Sequence, residues 1–332
     1  MNIQEVFPIS LGTDQVAIQQ KKNICKSRLD VNIQSEIIKG VVRPTPFIAS
    51  NMSTVCDSNF CIKLFECGAL GVLHRAAPED FLCQETKKIS EHCEHVAVSI
   101  GINESDKTLC KNLIKNGANI IFIDIAHGYS DDVFNMARWI KNEFSDKIKV
   151  VIGNTTNTNI LGECTSFVDA VKVGIAQGLA CETKNTAGCT EKNFSSIYKF
   201  RGVNTYFSMP LIADGGVREP ADVVKLIGAG AASVMAGSIF ARCPESAAQT
   251  TTIDGQVKKV YAGMASRFVQ EQWKGGLKDG TCPEGGIRYL NIGESVEKLI
   301  ERYSGALKSG ITYAGGKDIK SFQESVEFVR LV

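Results

Sequence analysis

Three observations predict a (β/α)8 barrel, the TIM-barrel fold, for this 332-residue chain. Eight short apolar runs recur along it, segments of helical character separate them, and no G-x-G-x-x-G follows the first run. The last point counts against the rival reading, a doubly wound open sheet.

The first four runs are "PFIAS" (46–50), "ALGVL" (69–73), "VAVSI" (96–100) and "NIIFID" (119–124). The next four are "KVVIG" (149–153), "DAVKVG" (169–174), "PLIAD" (210–214) and "ASVMAG" (232–237). Runs this apolar fit parallel strands covered on both faces. "SDDVFNMARWIKNEF" and "EPADVVKLIGAG" have helix character between them. Residues 251–293 then turn rich in glycine and polar residues and read as a long irregular excursion, a mobile flap over the barrel. An amphipathic helix, "SVEKLIERYSGALKSG", follows. The whole, residues 1–332, reads as one catalytic domain.

Composition narrows the class. Net charge is +1, with 44% hydrophobic and 22% charged residues, which suits a globular protein with a sizeable core and gives no polyanion-binding surface. Nucleic acid is therefore not an expected partner. "MNIQEVFPISLGTDQ" has no basic start and no apolar h-region, and no run approaches a membrane span, so neither secretion nor a membrane partner is expected. The 12 cysteines form no C-x-x-C and the four histidines are scattered. They are expected as free thiols in a reducing, cytoplasmic setting, without a structural zinc site.

In this fold the active site lies at the C-terminal ends of the strands. "ASNMSTV", "DIAHGYS", "GNTTNTN", "GIAQGLACET", "ADGGVRE" and "AGSIFA" all fall there. "DGG" (214–216) and "GS" (237–238) end consecutive strands, where backbone N–H groups suit a phosphate and Asp214 would face sugar hydroxyls; the alternative is two tight turns. Cys181, on a glycine loop with Thr183 two residues on, is a candidate nucleophile rather than a buried structural thiol. Asp124 with His127 is either an acid–base pair or a cofactor-orienting pair. His74 reads as a local packing residue. Glu284, between Pro283 and two glycines, is either a solvated acid or one that closes over a reacting group.

"VKVGIAQGLACET", "LIADGGVREPADVVKLIGAGAASVMAGSIFA", "YAGMAS", "NMSTV" and "IDIAHGYS" together resemble the IMP dehydrogenase/GMP reductase family, in order and over nearly the whole chain. The reductase branch is the closer likeness. Dehydrogenases usually carry a regulatory module after the second strand, and only a short segment joins His74 to Val96 here. "QEQWKGGLKDGTCPEGG" also lacks the dehydrogenase Arg-Tyr pair. "NICKSRLDV" and "TYAGG" (312–316) match reductase segments, the second one that reaches a neighbouring subunit's cofactor.

The resemblance implies NADPH-dependent reductive deamination at C2 of a guanine-type nucleotide, through a thioimidate on Cys181 with Thr183 and Glu284 assisting proton transfer. It implies that Asp214, Gly216, Gly237, Ser238, Tyr261 and Gly263 hold the ribose phosphate. Met264 and Ser266 would hold the base, and Asp124, Gly128 and Asn154 would line the cofactor side. It also implies a homotetramer, and a monovalent cation, K+, near Gly174 and Cys181. The alternatives are an IMP dehydrogenase without its regulatory module and a non-catalytic purine-nucleotide-binding homologue.

The likeness has departures. Ala176, Gln177 and Leu179 stand where the family loop carries Gly, Pro and a phosphate-binding Ser. Ser53 replaces an Asp, Thr281 a flap Arg, Lys184 an Arg, and "GCTEKNF" the family's G-V-G-x-P-Q. The catalytic trio is kept while the substrate cradle has drifted, which suggests the same reaction on GMP or on a deoxy- or deazapurine analogue. Either other donors, such as Gln177, Gly216 and Ser238, compensate for Leu179, or the natural ligand differs from GMP.

Overall fold

The computed structural model describes residues 8–276, 280 and 282–331. Its centre is a closed barrel of eight parallel strands. These are β1 (Phe47–Ala49), β2 (Leu70–Leu73), β3 (Ala97–Ile100), β4 (Ile120–Asp124), β5 (Lys149–Thr155), β6 (Ala170–Val173), β7 (Leu211–Asp214) and β8 (Ser233–Ala236). Each coincides with one predicted run. The barrel closes where β8 pairs with β1, Val234 opposite Phe47 and Ala236 opposite Ala49.

Side chains alternate across each strand, and this produces two cores. Ile48, Leu70, Phe122, Val151, Ile212 and Met235 point inward and fill the barrel. The alternate positions, such as Ile121, Ile123, Val150 and Ile152, meet the surrounding helices in the larger outer core. The helix Asp131–Phe144 shows why: Val133, Phe134, Met136, Ala137 and Ile140 recur at helical spacing on its buried face. One helix, Glu79–Ser90, lies between β2 and β3.

A short hairpin, Ser35–Ile38 with Val41–Arg43, seals one end of the barrel and was not among the expected elements. Its Ile37, Ile38 and Val41 join the inner core, the first two fully buried. Lys39 N donates to Asp169 O, just before β6, and Ser35 Oγ to Ala232 O, just before β8. The plug therefore closes the N-terminal end, where burying each branched side chain is worth about 1.5–3 kcal/mol. The opposite end stays open.

The expectation of an irregular 251–293 is corrected. Thr250–Ile253, Gln256–Ala262 and Ile287–Asn291 form a three-stranded antiparallel sheet, with the helix Arg267–Lys274 between the last two. Asp254 and Gly255, at φ 49° and 72°, make the two-residue turn of the first hairpin. β-branched residues and the alternation in "QVKKVYA" drive strand formation there, against a composition that reads as loop. Two further elements extend the expected set: the helix Ile319–Ser325, and an antiparallel pairing of Val16–Ile18 with Phe328–Arg330.

Candidate active site

The loop after β6 carries Cys181, and the strand segment after the helix Arg267–Lys274 comes across to meet it. Cys181 forms an antiparallel bridge with Gly285. Glu182 N donates to Glu284 O at 2.8 Å, and Gly286 N to Ala180 O at 2.8 Å. Gly263 and Gly285 permit this: a Cβ on Gly285 would sit 2.6 Å from Ser266 N, and one on Gly263 3.0 Å from Ala180 O. An ion pair, Arg288 to Glu182 at 2.5 Å, ties the same two segments by their side chains.

This pairing aligns three functional groups. Cys181 Sγ lies 3.3 Å from Thr183 Oγ1, and Thr183 Oγ1 donates to Glu284 Oε2 at 2.7 Å. With the threonine proton committed to Glu284, its lone pairs face the sulfur. The thiol then donates to Thr183, and a continuous path runs from sulfur to carboxylate.

A second cluster sits where β4, β5, β6 and β7 end. Lys172, 3% exposed, reaches Asp124 Oδ1 at 2.7 Å and Asp214 Oδ2 at 2.9 Å. Asn154 Nδ2 donates to Asp214 Oδ2 at 2.8 Å and to Gly174 O at 2.7 Å. Burial alone would push the lysine toward neutrality, but the two carboxylates outweigh it and hold Lys172 above its ordinary value. Burial likewise opposes the Asp124 charge, and Lys172 overturns it, so Asp124 stays below the usual carboxylate range. Burial, with Asp214 and Cys181 nearby, pushes Tyr261 up, which keeps its phenol protonated.

Both clusters face one cavity of about 220 Å3 at the open end of the barrel, and Asp124, Asn154, Gly174, Cys181, Thr183 and Glu284 all line it. Asp214, Gly237, Tyr261, Gly263 and Met264 complete the wall on the other side. A small recess continues from it, lined by Gly216, Ser238, Leu179 and Arg218.

Several expected residues fall elsewhere. Ser266 is off the cavity wall, 1% exposed, with its hydroxyl capping the helix Arg267–Lys274 by accepting from Val269 N. Gly128 is buried against β5, its N–H donating to Asn154 O at 2.8 Å. His127 is exposed, and the partner of Asp124 is Lys172, so the Asp124–His127 acid–base pair is not formed. Gln177 is no cradle donor: its amide is committed to Ile175 O, Thr190 Oγ1 and Glu191 O. The carbonyl of Gly174, near which K+ is expected, accepts from the Asn154 amide at 2.7 Å. Thr281 lies outside the described residues. His74 is buried with Nδ1 accepting from Ala76 N, and burial lowers its pKa to about 4, so it packs as a neutral ring.

Sequence reasoning missed Lys172 and the Glu182–Arg288 tie. A lysine inside the apolar run "DAVKVG" was a signal in itself, because a buried charge requires partners.

The family model described as "IMP dehydrogenase / GMP reductase domain" matches residues 10–332. The chain belongs to this family. Among curated relatives, the GMP reductase of Clostridium acetobutylicum is 33% identical over 249 residues, covering 70% of this chain and 75% of that protein. The GMP reductase of Shouchella clausii is 32% identical over 264 residues, 79% of each. That of Bacillus subtilis is 33% identical over 251 residues, 73% of this chain and 75% of its own. Among solved structures, a variant GMP reductase from Trypanosoma brucei in complex with guanosine 5'-monophosphate superposes with a TM-score of 0.94. It covers 100% of this chain and 97% of that one at 20% identity, a likeness of fold. Membership in the family makes the chain an oxidoreductase. Among the described residues no helix is long and apolar enough to cross a membrane.

Proposed function

We propose that the protein is a GMP reductase: it converts GMP to IMP and ammonia at the expense of NADPH. The observation that carries this is the chain from Cys181 through Thr183 to Glu284, at 3.3 and 2.7 Å. In the deamination half, the Cys181 proton moves through Thr183 to Glu284 and the thiolate attacks C2 of the purine. The S–C2 bond forms, the C2–N bond breaks, and Glu284, now protonated, returns the proton through Thr183 to the leaving amine. The result is a thioimidate on Cys181 and free ammonia. NADPH, when bound, supplies the hydride that C2 requires for the thiolate to depart.

The residues present fit such a cofactor. Asn51 lies beside Asp124 on the cavity wall and helps lower its pKa, yet its buried Nδ2 makes no well-aligned hydrogen bond among the described residues. A bound polar group would satisfy it. Asp124 and Asn154 would hold the cofactor's polar edge, and Asp214 the ribose hydroxyls. The Lys172 contacts hold Asp124 and Asp214 in place, so little reorganisation is left to the moment of reaction. No step uses K+. The 12 free thiols suit a cytoplasmic setting, and the family likeness suggests a homotetramer.

Purified protein with NADPH and GMP should oxidise the cofactor and release ammonia in equal amounts. Cys181→Ser should lose about 10³-fold or more in turnover while still binding GMP, and Glu284→Gln about 10²–10⁴-fold. Reduction of NAD by IMP would instead favour a dehydrogenase, and GMP binding without turnover a silent homologue. Turnover restricted to a deoxy or deazapurine analogue would replace GMP as substrate and keep the chemistry.

A further inference from the structure

Resting on that reading of the substrate as a nucleoside monophosphate, we infer that Arg218 takes over the phosphate recognition that Leu179 cannot provide. The recess continuing from the main cavity is the place for the phosphate, and two residues of its wall offer no free side-chain donor. The Leu179 side chain has no polar atom and packs against the outer core. The Gln177 amide is spent within its own loop. What remains is the backbone of the loop glycines, the Ser238 and Tyr261 hydroxyls, and Arg218, the one cation of the recess wall.

Arg218 is built for the task at its base and free at its tip. Its backbone N donates to Asp222 Oδ2 at 2.8 Å, and its carbonyl accepts from Tyr303 Oη at 3.1 Å. The residue is exposed, and its guanidinium makes no ion pair among the described residues.

Charge points the same way. The charged side chains lining the cavity and recess are Asp124, Asp214, Glu284, Lys172 and Arg218, formally three negative against two positive. Lys172 is already shared between the two aspartates. A phosphate dianion entering beside them needs a cation, and among the described residues Arg218 has no carboxylate partner to give up.

Space agrees as well. The recess has about 10 Å3 free, room for one water-sized body. A phosphoryl group seats only if a rim side chain swings aside. Leu179 is held by the core, whereas Arg218 is exposed and swings at little cost. A guanidinium displaced by a phosphate remains within reach of it.

The experiment compares parent, Arg218→Gln, Leu179→Ser and the double variant. It uses NADPH oxidation with GMP and with guanosine, and calorimetric binding of GMP at two NaCl concentrations. Arg218→Gln should lower the ratio of kcat/KM for GMP over guanosine by about 10–100-fold, with the loss falling mainly on KM and the salt dependence of GMP binding flattened. Leu179→Ser should restore much of that loss in the double variant. A GMP affinity in Arg218→Gln within twofold of the parent would overturn the inference, as would an equal loss on guanosine. So would a parent that binds no GMP. GMP binding that depends on Arg218 but leads to no turnover with NADPH would retain this inference and remove the proposed reductase activity.

Discussion

Two lysines lie buried in β-strands of this protein, and their surroundings treat the charge in opposite ways. Lys172, on β6, is 3% exposed and sits between Asp124 and Asp214. Lys259, in the strand Gln256–Ala262, is 4% exposed and forms no ion pair among the described residues. It donates instead to the carbonyls of Pro244, Ser246 and Ala248, at 3.0, 3.2 and 3.0 Å. Lys172 is held above its ordinary pKa, whereas burial takes Lys259 below its own. Carboxylates return the desolvation cost of an ammonium by Coulomb attraction, and carbonyl dipoles return only part of it. The first arrangement fixes two carboxylates at the cavity wall and holds Asp124 below the usual carboxylate range. The second rivets the antiparallel sheet to the loop that follows β8.

The largest effect is expected at Lys172. Lys172→Met leaves two partly buried carboxylates without their cation and should cost about 3–5 kcal/mol in denaturant unfolding. Lys172→Arg should not restore the parent, because a planar fork does not fit a site shaped for a compact ammonium. A loss under 1 kcal/mol for Lys172→Met would break the comparison.

Lys259→Met should cost less, about 1–3 kcal/mol, since it strands carbonyl acceptors rather than charges. Its effect on catalysis should be small beside that of Lys172→Met. The two lysines should also part company with pH. Lys259 binds its proton less tightly folded than unfolded, so the parent gains stability as pH climbs from the folded value toward the ordinary 10.5. The gap between parent and Lys259→Met should therefore widen over that window. Lys172, raised in the fold, keeps its proton below 10.5, so its contribution is fully present there and the gap to Lys172→Met should stay level. Unfolding curves at three alkaline pH values read both.

The smallest effect calibrates the others. Lys21 and Glu327 pair at 2.6 Å with side chains 32% and 59% exposed. Lys21→Met should shift stability by less than about 1 kcal/mol and lose even that in high salt. A shift as large as that of Lys259→Met would mean that contact, not burial, sets these values.

The barrel was legible because each of its strands is a continuous apolar run, a signal that survives without knowledge of its neighbours. Cys181 and Thr183 were legible from their place on a glycine loop, and Glu284 gained a role only through the family resemblance. The plug hairpin escaped because a register shift between Glu36 and Ile38 breaks the alternation that marks a strand. The antiparallel sheet escaped although Asp254-Gly255 is a strong hairpin signal, because the glycines that cluster between Gly275 and Gly286 made the whole segment read as loop. Lys172 is a different case. Its partners lie 48 and 42 residues away on other strands, and no local pattern encodes a contact that only barrel closure creates.

The pairing of Val16–Ile18 with Phe328–Arg330 has a kinetic consequence. These strands join segments more than 300 residues apart, so the first remains an open edge on the ribosome until the last has been made. The same holds for the β1–β8 seam, whose halves are separated by most of the barrel. A strand with unpaired N–H and C=O groups invites pairing with another nascent chain. Here the waiting segment is only three residues long, too short to template much, and Gln19 and Gln20 follow it with polar side chains. Brevity at that edge thus protects the growing chain during its longest wait.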